Sequence, residues 1–404
     1  MVATRAQRAA AAAPPASVRR ALQSEDVLAC VLSQLDVREG CLRSVASVSK
    51  AWRSAWRRRS AGQYRLLRTG IGVFRHASHV TAQANGGAIV PDYGHFRLEA
   101  LSPDGDRQAI YCANIETPGA MALLGDGTAW LLPQDLEAVC LVRWQDGVGA
   151  QQPRERWPNE WNEDGQGEFG DPHGRILRYV SIPSLLGEEQ DFHLQPCDLA
   201  ISGDRLLVLC CGSSTGFGRI CVLDSQTGAL LYQLGPAHEP GEADVLRLPR
   251  SLAVHQDLCF VADTYNHAIK VFNLRQRELM RTIGSTAAAP TNPSLGAYHI
   301  MYGCQNARRS DLPCEFNEPV GVAFRDGRLY VSEAIGRRIQ ILRFANDFHG
   351  PVECLQIIPS PYGVPLAGLC VSGERLWCLG QARGGEDDDM PYTDGCLHLF
   401  TACV

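Results

Sequence analysis

The feature that most limits how this chain can fold is a segment that recurs. The stretch LPRSLAVHQDLCFVADTYNHAIKVFN contains Pro249 and Asp263, and EPVGVAFRDGRLYVSEAIGRRIQIL contains Pro319 and Glu333. In both, the acid follows the proline by fourteen residues. In both, a short alternating run leads to a turn, then to a second run of the form apolar-Val-x-acid, then to a third reading x-Ile-x-Val or x-Ile-x-Ile. Alternation with period two is the mark of a strand with two different faces. Weaker copies begin at Pro118, Pro196 and Pro365. An early copy has Ser78 where proline would stand, and Asp92 at the acid position.

Units beginning near 78, 118, 196, 249, 319 and 365, each with several strands, predict a mainly β chain built as a six-bladed β-propeller. The two wide separations predict inserted loops near 145–195 and 285–315. The last unit ends in GCLHLFTACV, which reads as its third strand and leaves a fourth missing. The stretch YRLLRTGIGVF, residues 64–74, has the pattern to supply it. That pairing would close the ring and remove two exposed sheet edges.

The first sixty residues differ from the rest. The chain carries a net charge of -6, yet this front part is basic and the remainder acidic, which divides the chain in two. Residues 1–21 are rich in Ala and Arg without an acid, as in a disordered tail; a transit peptide shares that composition. Ser24 then suits a helix N-cap, with Glu25 and Asp26 at the positive end of the helix. Leu28, Val31, Leu32 and Leu35 follow at helical spacing. A second helical stretch, from about Cys41 to Arg59, carries Leu42, Val45, Val48, Trp52 and Trp56 on one face, and arginines crowd its C-terminal end. About 40 residues bury too little surface to be stable alone. These two stripes need a partner, either the rest of the chain or another protein.

Leu22, Glu25-Asp26-Val27-Leu28, Val31-Leu32-Ser33, Leu35 and Ser47-Val48-Ser49-Lys50-Ala51-Trp52-Arg53 together resemble the F-box, expected here over 22–59. Gln23 stands where that family usually has proline. The resemblance implies docking onto the Skp-type adaptor of a cullin-scaffolded ubiquitin ligase, with Leu28, Val31, Leu32, Leu35, Val45, Val48 and Trp52 as the adaptor-binding residues. The body, expected over 64–404, is similar to NHL-repeat propellers. The carriers are Val261-Ala262-Asp263 followed by Asn266-His267-Ala268-Ile269, with Gly165–Gly174 and Glu315–Pro319 resembling inter-blade connectors. Together they imply a non-catalytic ligase subunit that binds a target protein on the propeller and works in the cytoplasm or nucleus. Trp157 and Trp161, in the first insert, are candidate target contacts, or else pack that insert onto the ring.

Other chemistries find less support. Sixteen cysteines include no C-x-x-C pair, and eleven histidines include no H-E-x-x-H, so neither a metal nor another cofactor is expected. The run Asn162–Glu168 has the start of a calcium loop, but His173 stands where the loop needs a carboxylate. No G-x-S-x-G is present, so no catalytic residue is assigned. Lyase- or lactonase-like propellers build sites from single residues on several blades, and this remains one alternative. An RNA-binding propeller is the other, opposed by the acidic body. No apolar run is long enough for a membrane helix. Lysine occurs twice, at Lys50 and Lys270. A ligase receptor so poor in acceptors would modify itself slowly.

Overall fold

The computed structural model describes residues 63–95, 97–111, 118–133, 136–143, 176–186, 194–212, 216–235, 245–284, 310–345, 348–381 and 394–402. The F-box-like segment, with Leu28, Val31, Leu32, Leu35, Val45, Val48 and Trp52, lies outside them. So do Trp157 and Trp161. Residues Leu66–Thr401 form one compact unit.

The chain begins its β structure with β1 (Tyr64–Arg75), which is set aside until the end. The first blade is β2 (Thr81–Ala82), β3 (Ala88–Asp92), β4 (Arg97–Leu101) and β5 (Arg107–Tyr111). The second is β6 (Pro118–Leu123), β7 (Thr128–Pro133), β8 (Ala138–Arg143) and β9 (Ile176–Ser181). The third is β10 (Leu194–Ser202), β11 (Arg205–Gly212), β12 (Phe217–Asp224) and β13 (Leu230–Leu234), with β14 (Leu246–Arg247) paired beside β12. The fourth is β15 (Ser251–His255), β16 (Leu258–Asp263), β17 (Ala268–Asn273) and β18 (Glu278–Gly284). The fifth is β19 (Pro319–Arg325), β20 (Arg328–Glu333), β21 (Arg338–Phe344) and β22 (Val352–Pro359). The sixth is β23 (Leu366–Ser372), β24 (Arg375–Gln381) and β25 (Asp394–Ala402), and its fourth strand is β1.

All six expected unit starts fall at the head of an innermost strand, and the first residues of the body do supply the missing outer strand. Six sheets, five of them with four consecutive strands in order and the sixth completed by β1, give the six-bladed propeller that the repeat predicts. One expectation is corrected. Gly165–Gly174 falls in the chain between β8 and β9, two strands of the same sheet, so it does not connect blades. The insert is interposed before the outer strand ILRYVS, whose described side chains are mostly exposed. An outer strand with little apolar content gives a weak signal.

Period-two alternation explains how the blades stack. Along β11, Leu206 and Val208 pack with Trp130, Leu132 and Val139 of the second blade. Leu207 and Leu209 point the other way, onto Leu252, Cys259 and Val261 of the fourth. A middle strand covered on both faces must be apolar throughout, which is why β16 reads LCFVAD and its residues after Leu258 are buried. The same stacking joins Ile89 and Leu98 to Met121 and Leu131, and Phe260 and Val271 to Val331 and Leu342. The seam of the ring is packed likewise. Ile71 and Phe74 of β1, with Trp377, Leu397 and Leu399, meet Ala88, Val90 and Leu101 of the first blade.

Strand direction gives the propeller two different faces. One carries the connections from each blade to the next and the hairpins between second and third strands. The other carries the turns between first and second strands and, in the first five blades, between third and fourth strands, all tight except between β8 and β9. β1 runs from the turn face to the connection face. Arg68 reaches Asp106 of a first-blade turn at 2.7 Å, while the Arg75 N–H donates to Asp92 at 2.7 Å near the opposite end.

Candidate functional site

The recurring acids come first, since the sequence singles them out. Each ends the second strand of its blade on the connection face and is fully buried: Asp92, Asp263 and Glu333. Each accepts one backbone N–H from the segment that precedes its blade, from Arg75 at 2.7 Å, Arg247 at 2.6 Å and Asn317 at 2.8 Å. The other oxygen meets a cation from the third strand. Arg97 Nε is 2.9 Å from Asp92, Lys270 Nζ 3.1 Å from Asp263, and Arg338 Nε 2.7 Å from Glu333. Burial pushes the Asp263 and Glu333 carboxyls above their ordinary pKa, against the pull of Lys270 and of Arg338 with Gln340. These carboxylates are saturated with donors. Their role is to pin each connecting segment to its blade.

His267 belongs to the same device. It caps the hairpin in a left-handed conformation, φ 50°, and accepts the Glu318 N–H at Nδ1, 3.1 Å away. It is a turn residue rather than a metal ligand. Among the described residues no group of three or more His, Cys, Asp or Glu is placed to hold a metal ion.

A second constellation, not foreseen from the sequence, encircles the axis. Asp198 on β10 is buried and takes the N–H groups of Leu199 and Leu252, both at 2.8 Å, and a hydrogen bond from Ser251. The imidazole Nε2 of His79, from the first blade, stands 3.7 Å from it. Burial raises the Asp198 carboxyl, and His79 opposes that. Ser251 Oγ accepts the Val322 N–H at 3.3 Å, Ser332 Oγ donates to Ala367 O at 2.5 Å, and the Gly368 N–H donates to Ser78 O at 2.9 Å. A Cβ on Gly368 would collide with that Ser78 oxygen, so the seam between last and first blades needs glycine. The chain of contacts passes from the third blade through the fourth, fifth and sixth to the first. Its signal was the second position after Pro196 and Pro249, which holds Asp198 and Ser251.

A third device was also missed. The tryptophans of the second and sixth blades occupy the third position of the second strand. Trp130 Nε1 donates to Ser225 O at 2.8 Å, and Trp377 Nε1 to Gly86 O at 3.3 Å, each on the next blade. On the turn face, Arg205 meets Asp257 at 2.8 Å, and Arg375 meets Asp104 at 3.1 Å. Both bonds again cross between neighbours. The described polar residues of the interior therefore serve mainly to lash blades together.

Comparison with known proteins addresses the part of the chain outside the described residues. Residues 24–62 match the F-box domain. The chain carries an F-box. It lies ahead of a six-bladed propeller, and its match overlaps the segment that the sequence motif marked out. A comparison with curated protein sequences finds no match.

Among solved structures, the propeller resembles a luciferin-regenerating enzyme, with 11% identity, 83% of this chain and 94% of that chain covered, and a TM-score of 0.52. A PQQ-bound aldose sugar dehydrogenase from Streptomyces coelicolor matches at 11% identity over 84% of this chain and 99% of that one, with a TM-score of 0.46. A streptogramin B lyase matches at 11% identity over 83% and 98%, with a TM-score of 0.45. At such identity, the likeness to the first of these speaks for the fold alone. No helix among the described residues is long and apolar enough to cross a membrane.

Proposed function

We propose that this chain is the substrate-recruiting subunit of an SCF-type ubiquitin ligase. The F-box at residues 24–62 carries the reading. It would bind a Skp-type adaptor, and through it the cullin scaffold, with Leu28, Val31, Leu32, Leu35, Val45, Val48 and Trp52 filling the interface. The propeller would hold the target protein. The chain performs no chemistry of its own. It raises the local concentration of target lysines beside a bound ubiquitin carrier, a gain of proximity. Such a complex belongs in the cytoplasm or nucleus.

What supports the propeller's part is the state of its interior. The buried carboxylates and the axial Asp198 are engaged with internal donors, which leaves the surface for recognition. Loops on a rigid scaffold commonly carry binding. The stretches 145–195 and 285–315 remain the sequence-based candidates, Trp157 and Trp161 among them. Immediately after the second stretch, Phe316 is fully buried and belongs to the core.

The test is a pull-down of purified full-length chain with adaptor and cullin. Wild type should bring down both. Leu32→Asp or Trp52→Asp should bring down neither, with the unfolding transition of the propeller unchanged. Adaptor capture unaffected by both substitutions would overturn the reading.

A further inference from the structure

Nine large apolar side chains are exposed among the described residues. Six lie on outer strands: Leu67 and Val73 on β1, Leu177 and Tyr179 on β9, Leu231 on β13, and Ile357 on β22. The other three, Leu312, Ile335 and Tyr362, lie on connections, and all on the connection face at the fifth blade. Tyr362 is the most exposed of the nine, at 80%.

These three residues sit on segments that are bonded to one another. The Gly336 N–H donates to Asn317 O at 3.0 Å, and the Ala334 N–H to Glu318 O at 2.9 Å. This fixes the hairpin bearing Ile335 to the segment bearing Leu312. The Ser360 N–H donates to Arg337 O at 2.8 Å, and the Gly363 N–H to Ser360 O at 3.1 Å, which fixes the turn bearing Tyr362 to the same hairpin. Beneath them, the buried Arg338 reaches from Glu333 to the backbone oxygens of Asp311 and, at 2.9–3.3 Å, of Ser310, Leu312 and Glu315. The apolar groups are thus held by the blade's own carboxylate node rather than by a free loop.

The backbone there is strained in the same places. Tyr362 (φ 59°) and Arg337 (φ 49°) are both in the left-handed region without being glycine, a conformation that bulky side chains rarely adopt. Arg337 is exposed beside Ile335, and its guanidinium has no hydrogen bond or ion pair with any described residue. Exposed apolar side chains on bonded segments, with a cation that no described residue pairs on the same hairpin as Ile335, call for a ligand that brings an apolar side chain and an anion together.

We propose that Leu312, Ile335 and Tyr362, with Arg337, form a docking surface for a short peptide segment of a partner protein that carries an apolar residue next to Asp or Glu. The proposal deepens the receptor reading above, by naming the surface and the chemistry of what it holds. Arg337 pairs the peptide carboxylate, and the three apolar side chains cover its neighbour. Asp311, exposed beside Leu312, disfavours a second acid at that end of the peptide.

The experiment selects peptides from a random displayed library on immobilised full-length chain, then measures one enriched synthetic peptide against variants. Wild type should enrich an apolar residue adjoining Asp or Glu. Ile335→Asp and Tyr362→Ala should each weaken binding at least ten-fold, with the unfolding midpoint unchanged because both side chains are exposed. Arg337→Glu should redirect selection toward Lys or Arg beside the apolar residue. Failure to enrich any such motif, or binding equal within two-fold in all three variants, overturns the proposal. Binding that appears only after residues 285–309 are removed overturns it too, since the chain would then cover this face itself. Adaptor capture is measured on the same preparations. If it is absent while peptide binding follows the pattern above, the ligase reading falls and the docking surface stands.

Discussion

Lys270 Nζ lies 3.1 Å from Asp263 Oδ2, and both residues are shut away from solvent inside the fourth blade. The amine also donates to the carbonyl of Val245. One of the chain's two lysines is therefore a structural cation, bonded to the segment that leads into its blade. Removing one member leaves the other charged, buried and alone. Lys270→Met should cost about 3–5 kcal/mol in denaturant unfolding. Asp263→Leu combined with Lys270→Met should recover most of that loss, because neither charge then needs a partner. Equal loss in the single and double variants would show that packing, not charge pairing, dominates.

The same burial bears on self-modification. Lys270 is out of reach in the folded propeller, so Lys50 is the sole lysine of the chain left as an acceptor. Placing lysine at exposed arginines, Arg275→Lys with Arg325→Lys, should speed self-ubiquitination in a reconstituted ligase several-fold. Unchanged turnover would discard a protective role for lysine scarcity.

His398 should make the closing blade sensitive to acid. Its Nδ1 lies 2.7 Å from Thr69 Oγ1 of β1, while Nε2 is buried with no hydrogen-bond partner among the described residues. Burial pushes the imidazole down to about 4 from its ordinary 6.5. The unfolded chain takes up the proton first, so the stabilisation is complete above pH 6.5 and is lost as pH falls from there toward 4. The loss should be roughly 3 kcal/mol. Urea unfolding at pH 7, 5 and 4 checks it, and His398→Leu should flatten the dependence.

Ring closure should depend on Phe74. This side chain is fully buried in the seam with Trp377 and Leu397. Phe74→Ala should cost about 3–5 kcal/mol, and deletion of residues 64–75 should abolish cooperative unfolding of the whole propeller. A deletion variant that still unfolds in one sharp step would show that three strands suffice for the last blade.

Much of this architecture was legible because stacked blades need the same thing six times. Pro249, Pro319 and their counterparts mark where inner strands begin, and the alternation in RLLVLCCG follows from having a blade on either side. The acids at 92, 263 and 333 were legible as a pattern but not as a role, since their cations come from strands that only the hairpin register places opposite. Strand β9 escaped because its neighbours in sequence are far away and its side chains face water. The axial contacts of His79, Asp198 and Ser251 join residues more than fifty positions apart along the chain. No local period encodes that. The surface around Tyr362 was invisible for a related reason: its three apolar residues are isolated in sequence and meet through backbone bonds.

Because β1 is the outermost strand of the blade that ends with β25, the first piece of the body to leave the ribosome must wait for the last. A polypeptide cut short before residue 394 would keep its whole F-box but could never seal the ring. Under the proposed function, degradation of such fragments would keep chains without an intact propeller off the adaptor.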